Sequence, residues 1–599
     1  MSEIRPEETS YAAPSDNIEL EETDSAPVVA PAPSAEVVSV PAAAQQRSNR
    51  SATIEHLAAR RASSELSTES PEVKQKLNEL RTELTLLVTD LRWGGQPTKE
   101  TAERIIPLLN EGPLQQWIPL LVPTILEIDR AGDLAPAWLY IIEQEDPTDL
   151  PADSNPAETM IGRARRIAIL MLGYYKTAEI SELLGKLAID PRSSLYATRS
   201  LVKQSTVPAM KALAAALKDA EGWAKVDVID AFATLNQARF YEIMLASGLE
   251  RTNGLESYIA VPLFRTVPLE TYLRGGNNVA PRLTQQAAMV VSQVLQDSMN
   301  IAGGNSLPPI FERDLPTLAT ALYEGTKRTP NWQLAVALHR LGLLLGRYWG
   351  DISRGTIQDQ RIIQPVYACL PMMPDIEHWM NYTGRDVLWE ALTQQEEAFL
   401  PTLKVLSELR DPRTSQVLIA RLDATTQITD REHAISLGQI CDTLVQLGDR
   451  SAVSTIRELV KRTINSDARA TRGKRRDNLD VGDADIPGSI VYGAAIRTFA
   501  QFGERSTLDV ILRAANDFDP YVRTQALEAL KSIDPQGEDA RTCMVVREAL
   551  NDPRDTVVRV ACQLITQYHD IESVTSLRIL AETRPEFAPS VQETLRQLV

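Results

Sequence analysis

Asp519-Pro520-Tyr521-Val522-Arg523-Thr524-Gln525-Ala526-Leu527-Glu528-Ala529-Leu530 is the stretch on which the fold turns. An aspartate before a proline is a helix start. Its carboxylate accepts from the orphan amides of the first turn, and its charge suits the positive end of the helix. Proline at the first helical position loses no bonded amide, and its φ is already set. Val522, Ala526, Leu527 and Leu530 then recur at three- and four-residue steps, so they share one face. A single hairpin cannot cover that face, and neighbours must stack on it.

The same unit recurs on either side. Upstream, Phe502-Gly503-Glu504-Arg505-Ser506 opens a helix that runs to about Ala515. Downstream, a unit begins near Ile533 with its second helix opened by Asp552-Pro553, and another begins near Gln567 and closes after Pro585. The steps are about 31 and 34 residues, as expected of helical repeats. Leu409-Arg410-Asp411-Pro412 and Leu447-Gly448-Asp449-Arg450 start similar units. So do Leu172-Gly173, Leu201-Val202 and Leu235-Asn236, and Asp190-Pro191 sits where a second helix should begin. The expected fold is all-α: an α-solenoid of stacked antiparallel helical hairpins.

Five regions follow. Residues 1–70 form a Pro/Ala-rich acidic tail that buries too little apolar surface to fold alone. Its charge turns positive near Arg47, Arg50, Arg60 and Arg61, where Ile54, Leu57 and Ala58 suit either a short helix that orders on a partner or a solvated linker. Residues 71–156 form a first helical block, with Val73, Leu77, Leu80, Leu84, Leu87, Val88 and Leu91 on one face. Repeats occupy 157–270. The middle, 271–404, is helical but irregular, with Gly-rich loops at Gly275-Gly276-Asn277-Asn278 and Gly303-Gly304-Asn305. Repeats resume over 405–599 and are interrupted by a charged insert at 461–488.

Bulk composition agrees. Apolar residues are 43% of the 599-residue chain but aromatics only 5%, which suits helices packed through Leu, Ala, Ile and Val better than a sandwich of strands. A net charge of −18 repels nucleic acid at long range, so protein partners are favoured and nucleic acid is disfavoured. Cys369, Cys441, Cys543 and Cys562 form neither a disulfide framework nor a zinc spacing, and read as small buried side chains in a reducing compartment. The acidic N-terminus lacks an apolar targeting core. The most apolar stretches are broken by polar residues and prolines (Ile105–Ile128) or too short to span a bilayer (Leu334–Gly346). A cytoplasmic protein without a membrane span is expected.

The repeated units resemble the HEAT repeat family. The resemblance rests on Leu447-Gly448-Asp449-Arg450-Ser451-Ala452-Val453, on Asp519–Leu530, and on a looser copy at Asp552–Leu564. It implies structural, repeat-linking roles for Asp519, Arg523 and Arg559. The same structural class takes in Asp190, Pro191, Pro520, Asp552 and Pro553. The resemblance also implies a scaffold, adaptor or assembly factor. Some bacterial relatives resemble bilin lyases, so a chromophore-handling protein is the alternative in the enzyme class, though no bilin signature is present.

No catalytic constellation emerges. His56, His339, His378, His433 and His569 lie far apart, and a solenoid keeps sequence-distant residues apart in space. No metal-ligand spacing, nucleophile elbow or phosphate-binding loop occurs. No catalytic residue, metal or cofactor is expected. Two segments break the repeat rhythm and are the candidate binding surfaces. One is the insert, where Arg469, Arg472, Lys474, Arg475 and Arg476, beside Lys461 and Arg462, face either an acidic partner or a phosphate backbone. Asp477, Asp480, Asp483 and Asp485 are placed to neutralise that cluster in cis. A nucleic-acid role through 461–476 is therefore the third reading. The other segment is the aromatic middle, with Trp332, Trp349, Trp379 and Trp389, which reads either as an interface or pocket or as irregular core.

Overall fold

The computed structural model describes residues 53, 56, 71–94, 98–110, 113–144, 155–276, 279–300, 307–464 and 486–598. Among them every regular element is a helix, and no strand occurs. Asp519 accepts from the Tyr521 N–H at 2.9 Å, and the helix Pro520–Ile533 starts there with Pro520 in its first turn. Other units use a variant in which the arginine two residues on folds back. Asp411 accepts both the backbone N–H of Arg413 (3.0 Å) and its guanidinium (2.8 Å), and Asp539 does the same for Arg541. Such hydrogen bonds hold the Asp411 and Asp539 carboxyls below the ordinary range, Asp539 at about 2. Asp190 makes the same local bond to the Arg192 N–H, but its helix starts later, at Ser194, after a turn.

Hairpins stack by packing like helix on like helix. One ladder runs through Pro71–Gly94, Leu114–Ile128, Met160–Leu172, Ser194–Gln204, Gly222–Leu235, Glu256–Thr266, Pro281–Asn300 and Trp332–Ser353. It continues through Phe399–Glu408, Arg431–Leu447, Pro487–Phe502, Pro520–Ile533, Asp555–Tyr568 and Ala588–Leu598. Ala178–Leu187, Val207–Asp219 and Tyr241–Gly248 belong to the second layer, as do Leu269–Arg274 and Leu315–Arg328 further on. One apolar core extends from Val73 to Val591. The middle joins this ladder through two long helices, Pro281–Asn300 and Trp332–Ser353, which replace the short hairpins of the flanking repeats. The irregularity there has local causes. A π-helical turn, Met380–Gly384, wraps the Trp379 ring against Gly384. Gly325 packs so closely on the Leu273 carbonyl that no side chain fits between.

Neighbouring repeats are joined by a buried ion pair. Arg523 Nε and one terminal nitrogen reach the two carboxylate oxygens of Asp552 at 2.7 and 2.9 Å, and its other terminal nitrogen donates to the Asp517 and Phe518 carbonyls. Both side chains are buried, so the fork geometry must satisfy nearly all their polar atoms. Asp552 also accepts from the Arg554 N–H, and Pro553 beside it is exposed. Arg559, to which the resemblance assigns a linking role as well, is exposed. With no aspartate in the last unit at the position of Asp552, the link is made from the other side. Arg584 reaches back to the Asp552 carbonyl at 2.8 Å and pairs with Asp555.

Three of the four thiols are buried. Burial pushes Cys369 and Cys562 up to about 11 and Cys441 up to about 12. No helix among the described residues is long and apolar enough to cross a membrane.

Two outcomes test this packing. Asp552→Ala leaves the Arg523 guanidinium buried without its carboxylate and should lower unfolding free energy by about 3–5 kcal/mol in urea titration. Gly325→Ala should cost about 1–3 kcal/mol by forcing Leu273 and its helix outward, whereas Gly448→Ala, at a left-handed helix end open to solvent, should cost only about 1 kcal/mol. Equal losses at the two glycines would contradict the close approach.

Candidate functional site

Ser194 opens the helix Ser194–Gln204, and Asp227 lies midway along its ladder neighbour, Gly222–Leu235. Each is placed by local chemistry. Asp190 accepts from the Arg192 N–H and the Ser193 hydroxyl, both at 3.1 Å, which fixes the turn leading into Ser194. Gly222, the first residue of the helix, has a left-handed φ of 53°, and its N–H donates to the Arg251 carbonyl, which sets the direction in which the helix starts. Asn236, also left-handed, ends it.

Between these two helices Ser194 Oγ donates to Asp227 Oδ2 at 2.5 Å. A third group reaches the same oxygen from far away in sequence: His56 Nε2 lies 2.7 Å from it. The imidazole stacks on the Trp223 ring, with centroids 4.7 Å apart and planes 21° from parallel. The Trp223 indole N–H in turn donates to Thr53 Oγ1 at 3.0 Å, and the indole leans on Tyr258 from Glu256–Thr266. Thr53 and His56 are both helical and three residues apart, so they present to the same side. The His56 side chain is 2% exposed and that of Asp227 1%, so bulk water does not reach the contact. Here the carboxylate depends on the two donors that reach it.

The order of contacts decides what chemistry is open to the cluster. In a nucleophile relay the serine gives its proton to imidazole, and the acid holds the far ring nitrogen. Here serine and imidazole meet on one carboxylate oxygen, and the serine hydrogen is committed to Asp227. Serine and imidazole thus both reach Asp227 Oδ2 from opposite neighbours.

The polar residues nearby are spoken for by the scaffold. Lys225, on the same helix, is buried and donates to the Leu217 and Ser247 carbonyls, which ties its helix to the second layer; burial lowers its pKa. Arg166 donates to the Gly162 and Arg192 carbonyls at 3.2 Å. Beyond Asp227 the surface opens into a groove of about 550 Å³ between Thr198, Arg199, Asp230, Thr234 and Arg265.

The four tryptophans of the middle do not converge on one pocket. Trp332 and Trp379 are buried in the core, and the Trp332 indole donates to Gln395 at 3.0 Å. Trp389 is partly buried beneath the Arg413 guanidinium, 5.0 Å from its centroid. Trp349 is exposed and meets the exposed Tyr367 edge-on at 5.3 Å. Arg469, Arg472, Lys474, Arg475 and Arg476 lie outside the described residues. Of the basic residues at the start of that insert, Arg462 is structural. It donates to the Asp423 and Thr425 carbonyls, at 3.0 and 2.7 Å, closing the end of Arg413–Ala424. His339 also finds a carboxylate, Glu408, at 2.7 Å. Among the described residues no three His, Cys, Asp or Glu side chains gather as a metal would require.

The sequence reading missed the Ser194–Asp227–His56 cluster. One signal was available. Gly222–Leu235 is apolar almost all round yet carries an aspartate at its centre, and a buried acid needs a partner from somewhere.

Stacked hairpins in two layers around one continuous core define an α-solenoid. Residues 487–565 match the family model for HEAT repeats, and the chain carries HEAT repeats over that stretch. No curated protein matches the chain.

His56→Ala should expose one face of the Trp223 indole and leave Asp227 with one donor fewer. The expected outcome is a red shift in tryptophan emission and faster amide hydrogen exchange in Gly222–Leu235, with the far-UV spectrum unchanged. Unchanged emission and exchange would mean that the contact is not made in solution.

Proposed function

We infer that the protein is a non-enzymatic cytoplasmic scaffold that binds segments of other proteins along its helix ladder. HEAT repeats commonly serve protein–protein interaction. The observation that carries the reading is the seating of His56. A residue outside the solenoid enters the ladder 171 positions from its partner and is buried there through hydrogen bonds and ring stacking. The groove beside it leaves room for a longer segment. Acidic overall charge favours basic segments. The contact order at Asp227 supports binding over catalysis, because the serine hydrogen is held by the acid.

The test is affinity purification of the full chain from its native cells, followed by cross-linking. A stable protein partner cross-linked to Ser194–Gln204, Gly222–Leu235 or Glu256–Thr266 is expected. Recovery of no partner, or turnover of a small molecule by the purified chain, would overturn the reading.

A further inference from the structure

We propose that the groove between Ser194–Gln204, Gly222–Leu235 and Glu256–Thr266 is a socket for one arginine side chain of a partner protein segment, with Asp227 at its inner end. This rests on the scaffold reading and adds to it the residue that the partner must carry.

The groove exists because the middle helix is the low one. Ala231 and Ala233 give Gly222–Leu235 a floor of small side chains. Arg199 and Val202 line the groove from one neighbouring helix, Pro262 and Arg265 from the other. From Asp227 to Thr234 the helix rises about 10 Å, and the space beside it holds about 550 Å³. That is room for one long side chain and the backbone that carries it. The alanines and Pro262 suit an aliphatic stem that ends in a polar head.

The polar atoms along this floor accept and do not donate. Ser194 and His56 both reach Asp227 through Oδ2. Its Oδ1 has no hydrogen-bond partner, although the side chain is only 1% exposed. A buried acceptor without a donor costs free energy, and an arriving donor removes that cost. Two hydroxyls on the groove have their hydrogens committed to backbone. Thr198 donates to the Ser194 carbonyl and Thr234 to the Asp230 carbonyl, both at 2.8 Å. Only their lone pairs are left for a ligand. Asp230, one turn beyond Asp227, adds a second carboxyl on the same face.

A ligand for this set must bring several donors and no acceptor. Arginine is that side chain, with five N–H groups on a planar fork. Lysine offers a point charge, which does not span acceptors spread along a helical turn. The walls constrain the rest of the segment. Arg265 is committed to Glu312 through two hydrogen bonds of 2.6 and 2.7 Å, whereas Arg199 is exposed on the opposite wall. Arg199 repels a second cation, so a carboxylate beside the arginine fits and a lysine there does not.

The experiment uses full-length chains and a short fluorescent peptide with one arginine and one glutamate among alanines, read by polarisation. The peptide should bind, and binding should fall about tenfold or more when citrulline, of the same shape but uncharged, replaces the arginine. Asp227→Asn and Asp230→Asn should each weaken it about tenfold. Glu432→Gln, which removes an exposed acid outside the groove, should leave it unchanged. Ala233→Leu fills the floor and should abolish binding. Arg199→Glu alters only an exposed side chain, so it tests the wall even if the Asp227 or Ala233 variants fold poorly. It should weaken the glutamate peptide and strengthen one with lysine in place of the glutamate. No binding, equal binding of the citrulline peptide, or indifference to both Ala233→Leu and Arg199→Glu overturns the socket. A lysine-for-arginine peptide that binds equally well overturns the choice of arginine. A native partner that still cross-links to the Ala233→Leu chain sinks the socket alone. No native partner sinks the scaffold reading whatever the peptide does.

Discussion

A helical hairpin has more apolar surface than it can cover itself, and everything else in this molecule follows from that deficit. Each unit must be capped by the next, so the core extends without a break from Val73 to Val591. Stacking alone fixes distance but not rotation. Rotation is set by polar contacts that admit one geometry, and the buried fork between Arg523 and Asp552 is the clearest of them. Where the aspartate is missing in the last unit, an arginine from the other side, Arg584, takes over. The demand for a link outlasts the motif that usually meets it.

Much of the fold was legible because it is written locally. Asp519 and Pro520 start a helix by their own chemistry, and the spacing of Val522, Ala526, Leu527 and Leu530 tells which face is buried. The same logic placed the units beginning at Leu409 and Leu447. It went astray by a turn at Asp190, where the same cap geometry precedes a turn and not the helix. The middle resisted because its long helices carry no repeat punctuation, and because Gly325 and Gly384 owe their identity to contacts with Leu273 and Trp379 that no periodicity records.

The site was far less legible. The expectation that a solenoid keeps distant residues apart holds for residues inside the stack. His56 precedes the stack and is not bound by that rule, so it reaches Asp227 across 171 positions. The aromatics of the middle are divided between core and surface. Trp332 and Trp379 are core, and it is Trp223, unremarked among the aromatics, whose ring receives another group. A buried acid on an otherwise apolar helix is the better signal, because the low-dielectric surroundings make its partners obligatory.

The order of residues along the chain gives the His56 contact a direction in time. During synthesis the histidine leaves the ribosome long before Asp227 exists. At about 5–20 residues per second, the intervening stretch takes roughly ten to thirty seconds to make. For that interval His56 has no Asp227 to pair with. Each newly made molecule therefore passes through a stage in which the groove beside Asp227 is still unbuilt, and the contact forms only after both helices are in place.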